Sequence, residues 1–206
     1  MNLEKIHYRT LSRTVNELLT EINTVTKAGI NTIRINASHF KAEILEEIED
    51  CLPSELNVIF ENPPHDYSVP KNYGIHDTGS LESLRLLKDR KKDFTIGATG
   101  ISLADCKNLD LLQLAYLEIP LQINYSSKKA PILGTEGIAA LIPKETEYGW
   151  VIMSINTPVY ASGIRTLQEI KELARNTTIQ GVVLDQLLYR ESNKAKLIKS
   201  IKSYLK

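Results

Sequence analysis

The chain has 206 residues, of which 42% are hydrophobic and 24% are charged, and this composition is ordinary for a globular protein with one substantial core. Its 25 basic and 25 acidic residues cancel, so the net charge recruits neither nucleic acid nor an anionic membrane. No window approaches the roughly 18 apolar residues of a membrane span, and MNLEKIHYRTLSR lacks the apolar run of a secretory signal. We therefore expect a cytoplasmic protein with no membrane or nucleic-acid partner.

Short apolar bursts alternate with longer helical patterns along most of the chain. The bursts, which predict strands, are IHYRTL (6–11), NTIRIN (31–36), LNVIF (56–60), YGIHD (73–77), FTIGA (94–98), LAYLEIPLQI (114–123), WVIMSI (150–155) and GVVLD (181–185). Several of them are too continuously apolar for a strand with one face in water. A further apolar stretch, PVYAS, leads into a Ser-Gly turn and is also typical of a strand.

Helical patterns lie between the bursts. They cover residues 12–29, 41–52, 80–92, 102–113, 166–176 and 192–206. The first has Ser12 as its expected N-cap and Gly29 as its expected C-cap. The last has apolar residues on one side and lysines on the other, which favours a helix that closes a barrel over one that binds a membrane. Cys51 and Cys106 have no nearby cysteine partner, and we expect small buried residues in a reducing compartment.

The repeat of strand, capped helix and strand is typical of βα units with right-handed crossovers and a parallel sheet. Eight bursts match the eight strands of a (β/α)8 TIM barrel. An open doubly wound sheet is the competing α/β fold, but no GxGxxG follows the first strand. The sequence therefore predicts a single barrel domain over residues 1–206. Its one long loop is the proline-rich stretch 61–72, which we expect over one end of the barrel.

Polar residues follow the predicted strands, at the end of a parallel barrel where reacting groups lie. They are Asn36, Ser38, His39, Glu61, Asn62, His76, Asp77, Thr99, Ser102, Gln122, Asn124, Ser126, Ser127, Lys128, Lys129, Ser162, Gly163, Asp185 and Gln186. Two histidines, several acids and a lysine pair at one rim predict a binding site for a small polar molecule.

Seven stretches occur in a characteristic order: AGINTIRIN, LNVIFEN, YGIHDTGS, FTIGATGISLADC, LGTEGIAAL, PVYASGIRTLQEI and GVVLDQLL. In this order the chain resembles the thiamine phosphate synthase and TenI (thiazole tautomerase) superfamily of small phosphate-binding barrels. LGTEGIAAL is similar to the family's G-L-E-G-L region, and PVYASGIRTLQEI to its P-V-V-A-I-G-G-I turn. The resemblance runs nearly end to end and implies a role in thiamine biosynthesis. That role is either the joining of a pyrimidine pyrophosphate to a thiazole phosphate or the isomerisation of the thiazole.

The resemblance also implies which residues bind phosphate. The family's Gly-Gly turn corresponds to Ser162 and Gly163, where a side chain would hold phosphate away from the backbone amides. The family's strand-eight Val-Ser corresponds to Asp185 and Gln186, and the aspartate would repel an anion. The other implied substrate-binding residues are Asn36, Ser38, Thr99, Asn124 and Ser126.

Three residues carry the implied chemistry. The family's strand-six lysine corresponds to Lys128 or Lys129, which would stabilise departing pyrophosphate. His76 matches a family histidine beside the pocket, and an imidazole can exchange protons near neutral pH. Arg34 precedes the family's strand-two arginine by one residue, so we expect its side chain on the opposite surface of the barrel.

The resemblance implies Mg²⁺ as the cofactor of a synthase, held by Glu61 and Asn62 with Asp77 as a third candidate. Magnesium prefers carboxylates and phosphate oxygens in octahedral array, and Asn62 stands where the family has an aspartate. Such replacements weaken charge or metal binding at most of the implied positions. The alternative is therefore a catalytically degenerate barrel that binds a ligand or another protein. Either form is compatible with a homo-oligomer.

Overall fold

The computed structural model describes residues 1, 3–101, 103–121, 155–176 and 178–205. Parallel strands pair in chain order there and close into an eight-stranded barrel. They are β1 (Ile6–Arg9), β2 (Thr32–Asn36), β3 (Asn57–Glu61), β4 (Gly74–Asp77), β5 (Thr95–Thr99), β6 (Tyr116–Pro120), β7 (Val159–Ser162) and β8 (Gly181–Leu184). The parallel pairing of β1 with β8 closes the barrel, with Tyr8 opposite Leu184. The (β/α)8 prediction is confirmed.

The seventh strand is the stretch before the Ser-Gly turn. It comprises VYAS and pairs with β6 on one side and with β8 on the other. The burst WVIMSI lies almost entirely outside the described residues, and Ile155, its last member, belongs to no strand.

Helices surround the strands. They are α1 (Val15–Lys27), α2 (Ala42–Cys51), α3 (Leu81–Arg90), α4 (Leu103–Asp110), α5 (Leu167–Asn176), α6 (Gln186–Arg190) and α7 (Lys194–Tyr204), with a 3-10 turn at Ala37–His39. As expected, α7 packs on the body of the protein: it lies against α5 and buries Leu197, Ile198 and Ile201. Within the described ranges, every helix is too short or too polar to cross a bilayer.

Local signals at the first helix were partly misinterpreted from the sequence. Thr14, not Ser12, is the N-cap of α1, because Ser12 is hydrogen-bonded through its amide and hydroxyl to the carboxylate of Glu21. Ala28, not Gly29, is the C-cap, and Gly29 follows it with φ +99°, in the left-handed region that favours glycine. The expectation of two buried cysteines is wrong for Cys51, which is exposed at the end of α2, and right for Cys106.

The segment between β3 and β4 contains no helix. Tyr67 and Tyr73 instead pack edge-to-face on Phe60, which points outward from β3, and the Tyr67 hydroxyl donates to Glu49 of α2. These side chains cover the outer face of the sheet where a helix normally lies. The expectation that residues 61–72 lie over one end of the barrel is therefore wrong for Tyr67, which packs on the outer face. Aromatic residues supply enough apolar area to replace a helix there.

The barrel interior has a lower aromatic layer and an upper charged layer. The lower layer combines Ile59, Tyr116, Tyr160 and Val183 with the buried ring of His7, which stacks on Tyr160 at 4.2 Å between centroids. The upper layer is nearer the carboxyl ends of the strands, and the polar residues described below form it.

Candidate functional site

Charged side chains of opposite sign meet inside the barrel. Arg9 ends β1, Arg34 lies in the middle of β2, Glu61 ends β3 and Glu118 lies in the middle of β6. Alternate residues of a strand point to the same face, and strand register aligns these positions: Arg9 is opposite Arg34, and Glu61 is opposite His76. Four strands therefore direct two guanidinium groups and two carboxylates to one place.

Each arginine contacts both carboxylates. Arg9 Nε donates to the two oxygens of Glu61 at 2.9 and 3.0 Å, and its Nη2 donates to those of Glu118 at 2.7 and 2.6 Å. Arg34 Nη2 lies 2.7 Å from an oxygen of each glutamate. The N–H bonds of Arg34 do not point along these contacts, so its pairing is mainly Coulombic. The four charges sum to zero, and we call this group the Arg–Glu cluster.

Burial and mutual contact fix the charges of the Arg–Glu cluster. Burial alone would raise the pKa of Glu118, but Arg34 and Arg9 hold it well below its usual value. Burial alone would lower the pKa of Arg9, and contact with Glu118 and Glu61 raises it instead. The arginines are therefore charged at every accessible pH, and Glu118 remains ionised to strongly acidic pH. The side chain of Arg34 is fully buried, and that of Arg9 is 23% exposed.

His76 lies beside the Arg–Glu cluster and is neutral at pH 7. Burial, followed by the nearby Arg34 charge, lowers its pKa well below the usual value. Its Nδ1 lies 3.1 Å from the Tyr116 hydroxyl, and its Nε2 lies 2.9 Å from Thr99 Oγ1 and 3.5 Å from Glu118. Two fixed partners orient the ring, and Thr99 is its half-buried link toward the barrel mouth.

The predicted strand-two residues lie at the barrel mouth. Asn36 ends β2, and its amide oxygen accepts a hydrogen bond from the hydroxyl of Ser38 in the following 3-10 turn. Asn36 is opposite Glu61 in the strand register, so it lies at the edge of the Arg–Glu cluster. Arg34 points into the barrel, so the expectation that it lies on the opposite surface is wrong. The physical reason is that it shares the face of Asn36, two residues away.

The predicted magnesium ligands do not meet. Glu61 points into the barrel, while Asn62 and Asp77 line a groove on the outside, between the segment that follows β3 and helix α3. Asn62 Oδ1 accepts hydrogen bonds from the amide and hydroxyl of Thr78, and Asp77 Oδ1 accepts one from the Gly79 amide. All three side chains have protein partners, on two different sides of the sheet.

The turn after β7 keeps part of the expected phosphate-binding shape. Gly163 has φ +70°, a conformation in which a Cβ is strained. The amides of Arg165 and Thr166, which follow it, donate hydrogen bonds to the carboxylate of Glu169. Ser162 is buried, and its carbonyl accepts a hydrogen bond from the Leu121 amide. At the end of β8, the Asp185 carboxylate caps α6 by accepting from the Gln186 amide, a position where an anion would otherwise bind.

Seven of the predicted rim residues lie outside the described part of the chain: Ser102, Gln122, Asn124, Ser126, Ser127, Lys128 and Lys129. Their roles stay predictions.

Arg9, Glu118 and Tyr116 are not among the residues that the sequence predicts for the site, and the resemblance predicts that Arg34 points outward. A signal was present in the strands themselves. NTIRIN and LAYLEIPLQI each carry one charged residue within an apolar burst, and a charge in a strand covered on both faces requires a buried partner. The identity of that partner follows only from the closed barrel.

Comparison with solved structures identifies several barrels of the same architecture. The chain aligns with thiamine phosphate pyrophosphorylase from Pyrococcus furiosus with a TM-score of 0.71 and 15% identity, over 98% of this chain and 97% of that chain. It aligns with KGPDC from Streptococcus mutans with a TM-score of 0.68 and 9% identity, over 99% of this chain and 98% of that chain. It aligns with (S)-3-O-geranylgeranylglyceryl phosphate synthase from Thermoplasma acidophilum with a TM-score of 0.64 and 14% identity, over 98% of this chain and 94% of that chain. No protein-family model and no curated protein sequence matches the chain. At these identities the neighbours establish the TIM-barrel fold, which is similar to that of thiamine phosphate synthase.

Proposed function

We propose that the chain binds a small phosphorylated ligand of the thiamine type, a thiazole or pyrimidine phosphate, at the carboxyl end of its barrel and without magnesium. The observation that carries the proposal is the Arg–Glu cluster, in which both inward carboxylates are already neutralised by arginines. A ligand at the mouth meets fixed protein charges instead of a metal ion.

The residues implied for magnesium do not fit that ion. Magnesium requires near-octahedral oxygen ligands and is usually bound by one or two carboxylates together with phosphate oxygens. Glu61 is engaged by two arginines inside the barrel, whereas Asp77 lies on the outside. Magnesium-assisted departure of pyrophosphate therefore lacks a ligand set among the described residues, which favours ligand binding over the synthase reaction.

Two observations support a phosphorylated ligand. The Gly163 turn retains the left-handed backbone that a phosphate-binding turn uses. Arg9 is the part-exposed member of the Arg–Glu cluster, and among the described residues no hydrogen bond engages its Nη1. Among the structural neighbours, one is named for thiamine phosphate, and another was solved with sn-glycerol-1-phosphate.

Calorimetry of the purified chain tests the proposal. We expect micromolar binding of thiamine phosphate that is the same with magnesium and with EDTA, and no magnesium-dependent binding of pyrophosphate. Gly163→Ala should weaken binding at least tenfold, because a Cβ strains the turn. Gly29→Ala is the matched control: it also replaces a positive-φ glycine, but at the far end of the barrel. Absence of binding, or binding only with magnesium, would contradict the proposal.

A second candidate is proton transfer on a bound thiazole, and the geometry of His76 favours it. A neutral imidazole fixed by Tyr116 and Thr99 can act as a general base, and the TenI-type reaction that the resemblance implies needs no metal. The same samples would be incubated with the thiazole carboxylate phosphate and analysed by chromatography. Product that forms in EDTA and disappears in His76→Gln would favour this candidate, and unchanged substrate would exclude it.

A further inference from the structure

Glu61, His76 and Glu118 have the arrangement of a metal-ligand set. One ligand atom from each lies within 4.8 Å of the others, and all three residues are buried. Zinc bound tetrahedrally at about 2.0–2.2 Å places its ligand atoms about 3.4 Å apart. His76 Nε2 and Glu118 Oε2 are already 3.5 Å apart. Small side-chain movements would therefore complete three protein ligands and leave a fourth position open.

The histidine also has the support that metal-ligating histidines usually have. A ligating imidazole donates its second ring N–H to a partner that fixes the tautomer. Here Nδ1 of His76 lies 3.1 Å from the Tyr116 hydroxyl, and Nε2 lies 2.9 Å from Thr99 Oγ1 and 3.5 Å from Glu118. A metal ion at Nε2 would therefore replace the Thr99 contact. This support comes from the lower layer of the barrel and does not depend on either arginine.

Arg9 stands where the cation of such a set would stand. Its guanidinium is hydrogen-bonded to both oxygens of Glu61 and both oxygens of Glu118. Arg34 Nη2 also lies 2.7 Å from one oxygen of each glutamate but makes no hydrogen bond, and it remains as a second positive charge when Arg9 is removed. With Arg9 present, a divalent ion would give the Arg–Glu cluster a net charge of +2 in a buried site, which is strongly unfavourable. Without Arg9 the cluster carries −1, and the same ion would give +1 with coordinate bonds to three ligands.

We propose that Glu61, His76 and Glu118 form a ligand set for a zinc-like divalent ion whose cation position is occupied by the Arg9 guanidinium. The arginine supplies, as part of the chain, the positive charge that a metal would supply. The chain takes up a divalent ion at these residues only when Arg9 is removed. Imidazole and carboxylate ligands suit zinc and cobalt better than magnesium. The proposal goes beyond the proposed function, because it is tested by metal binding alone.

The test compares cobalt and zinc binding by the wild-type chain and by Arg9→Met. We expect Arg9→Met to bind one equivalent of Co²⁺ with visible ligand-field absorption, and to bind Zn²⁺ at least a hundredfold more tightly than wild type by calorimetry. Arg13→Met is the matched control, since Arg13 is exposed and its loss changes the net charge equally. In Arg9→Met/Glu118→Gln the gain should disappear, because one ligand is lost.

Arg9→Met also tests the proposal if it folds poorly, because zinc should then restore its circular dichroism and thermal transition. Arg9→Lys keeps the charge without the guanidinium fork and should not gain metal. The proposal is overturned if wild type binds zinc as tightly as Arg9→Met. It is also overturned if neither Arg9→Met nor Arg9→Gln gains binding or zinc-dependent folding.

Discussion

Arg34 is the largest fully buried side chain in the described part of the chain. A guanidinium without water is tolerable only with opposite charge nearby, and here Glu61 and Glu118 supply it while the Tyr116 ring lies 5.6 Å from the guanidinium carbon. Such a group contributes little net stability compared with apolar packing, but removing one partner is costly. The complete Arg–Glu cluster therefore adds little to the free energy of unfolding, but the loss of one member leaves the opposite charges of the others without a partner.

Glu118→Gln should destabilise the protein strongly. The change leaves the buried Arg34 and the part-exposed Arg9 with one carboxylate, and breaking a buried pair typically costs about 3–5 kcal/mol. Urea denaturation at pH 7 measures the loss in the free energy of unfolding. Glu47→Gln, on the exposed face of α2, should change it by less than about 0.5 kcal/mol. Equal effects of the two substitutions would show that the Arg–Glu cluster is not a coupled unit.

At the scale of the strands, glycines make room for tyrosines inside the barrel. Gly97 on β5 is opposite Tyr116 on β6, and a Cβ at Gly97 would lie 2.1 Å from the ring. Gly181 on β8 similarly faces Tyr160, with 2.6 Å to its ring. Glycines on β5 and β8 thus flank the two neighbouring strands that carry the tyrosines, and the rings fill this part of the barrel interior. The aromatic layer beneath the Arg–Glu cluster depends on these two glycines.

Gly97→Ala should lower the free energy of unfolding by about 1–3 kcal/mol, because the added methyl overlaps a ring that the barrel confines. Gly74→Ala should cost less, since its Cβ would meet Ile59 Cγ1 at 3.0 Å. Thermal and urea unfolding compare the two variants. In Gly97→Ala/Tyr116→Leu the cost should be smaller than the sum of the single changes. Additive costs would argue against the overlap.

At the scale of the whole molecule, buried neutral histidines make stability depend on pH. Burial, followed by the Arg34 charge, lowers the pKa of His7 from 6.5 to about 3. Between these values the unfolded chain holds a proton on His7 that the folded chain does not. Stability is therefore complete above pH 6.5 and falls by about 1.4 kcal/mol per pH unit below it, until about pH 3. His76, whose pKa is also lowered, acts in the same direction.

His7→Phe should make the protein less sensitive to acid. The new ring keeps the stacking on Tyr160 but cannot bind a proton. Between pH 6.5 and pH 5.0 the wild-type free energy of unfolding should fall by about 2 kcal/mol more than that of the variant. Urea denaturation at the two pH values measures both slopes. Identical slopes would mean that His7 is protonated equally in the folded and unfolded chains.

The sequence predicted the fold better than the site because the two depend on different information. Strand and helix patterns are local, so the bursts that became β2, β4 and β8 were recognised directly. The Arg–Glu cluster joins Arg9 to Glu118, which are 109 positions apart, and that pairing exists only after the barrel closes. The sequence predicted an outward-pointing Arg34 because Arg34 lies one residue before the position of the family arginine. In a strand, a shift of one residue moves a side chain to the other face. The predicted magnesium ligands do not meet for a related reason. Glu61 and Asn62 are adjacent in the chain, so their side chains point to opposite sides of the sheet.

The closure of the barrel also has a consequence for synthesis on the ribosome. The Lys5 carbonyl accepts a hydrogen bond from the Val182 amide, and the Tyr160 hydroxyl donates to the Glu4 carbonyl. One edge of β1 thus has no strand partner until β8 has been translated. An unpaired edge can associate with other chains. A nascent chain that pauses before residue 181 therefore exposes two such edges, and it needs protection from neighbouring chains until β8 has been made.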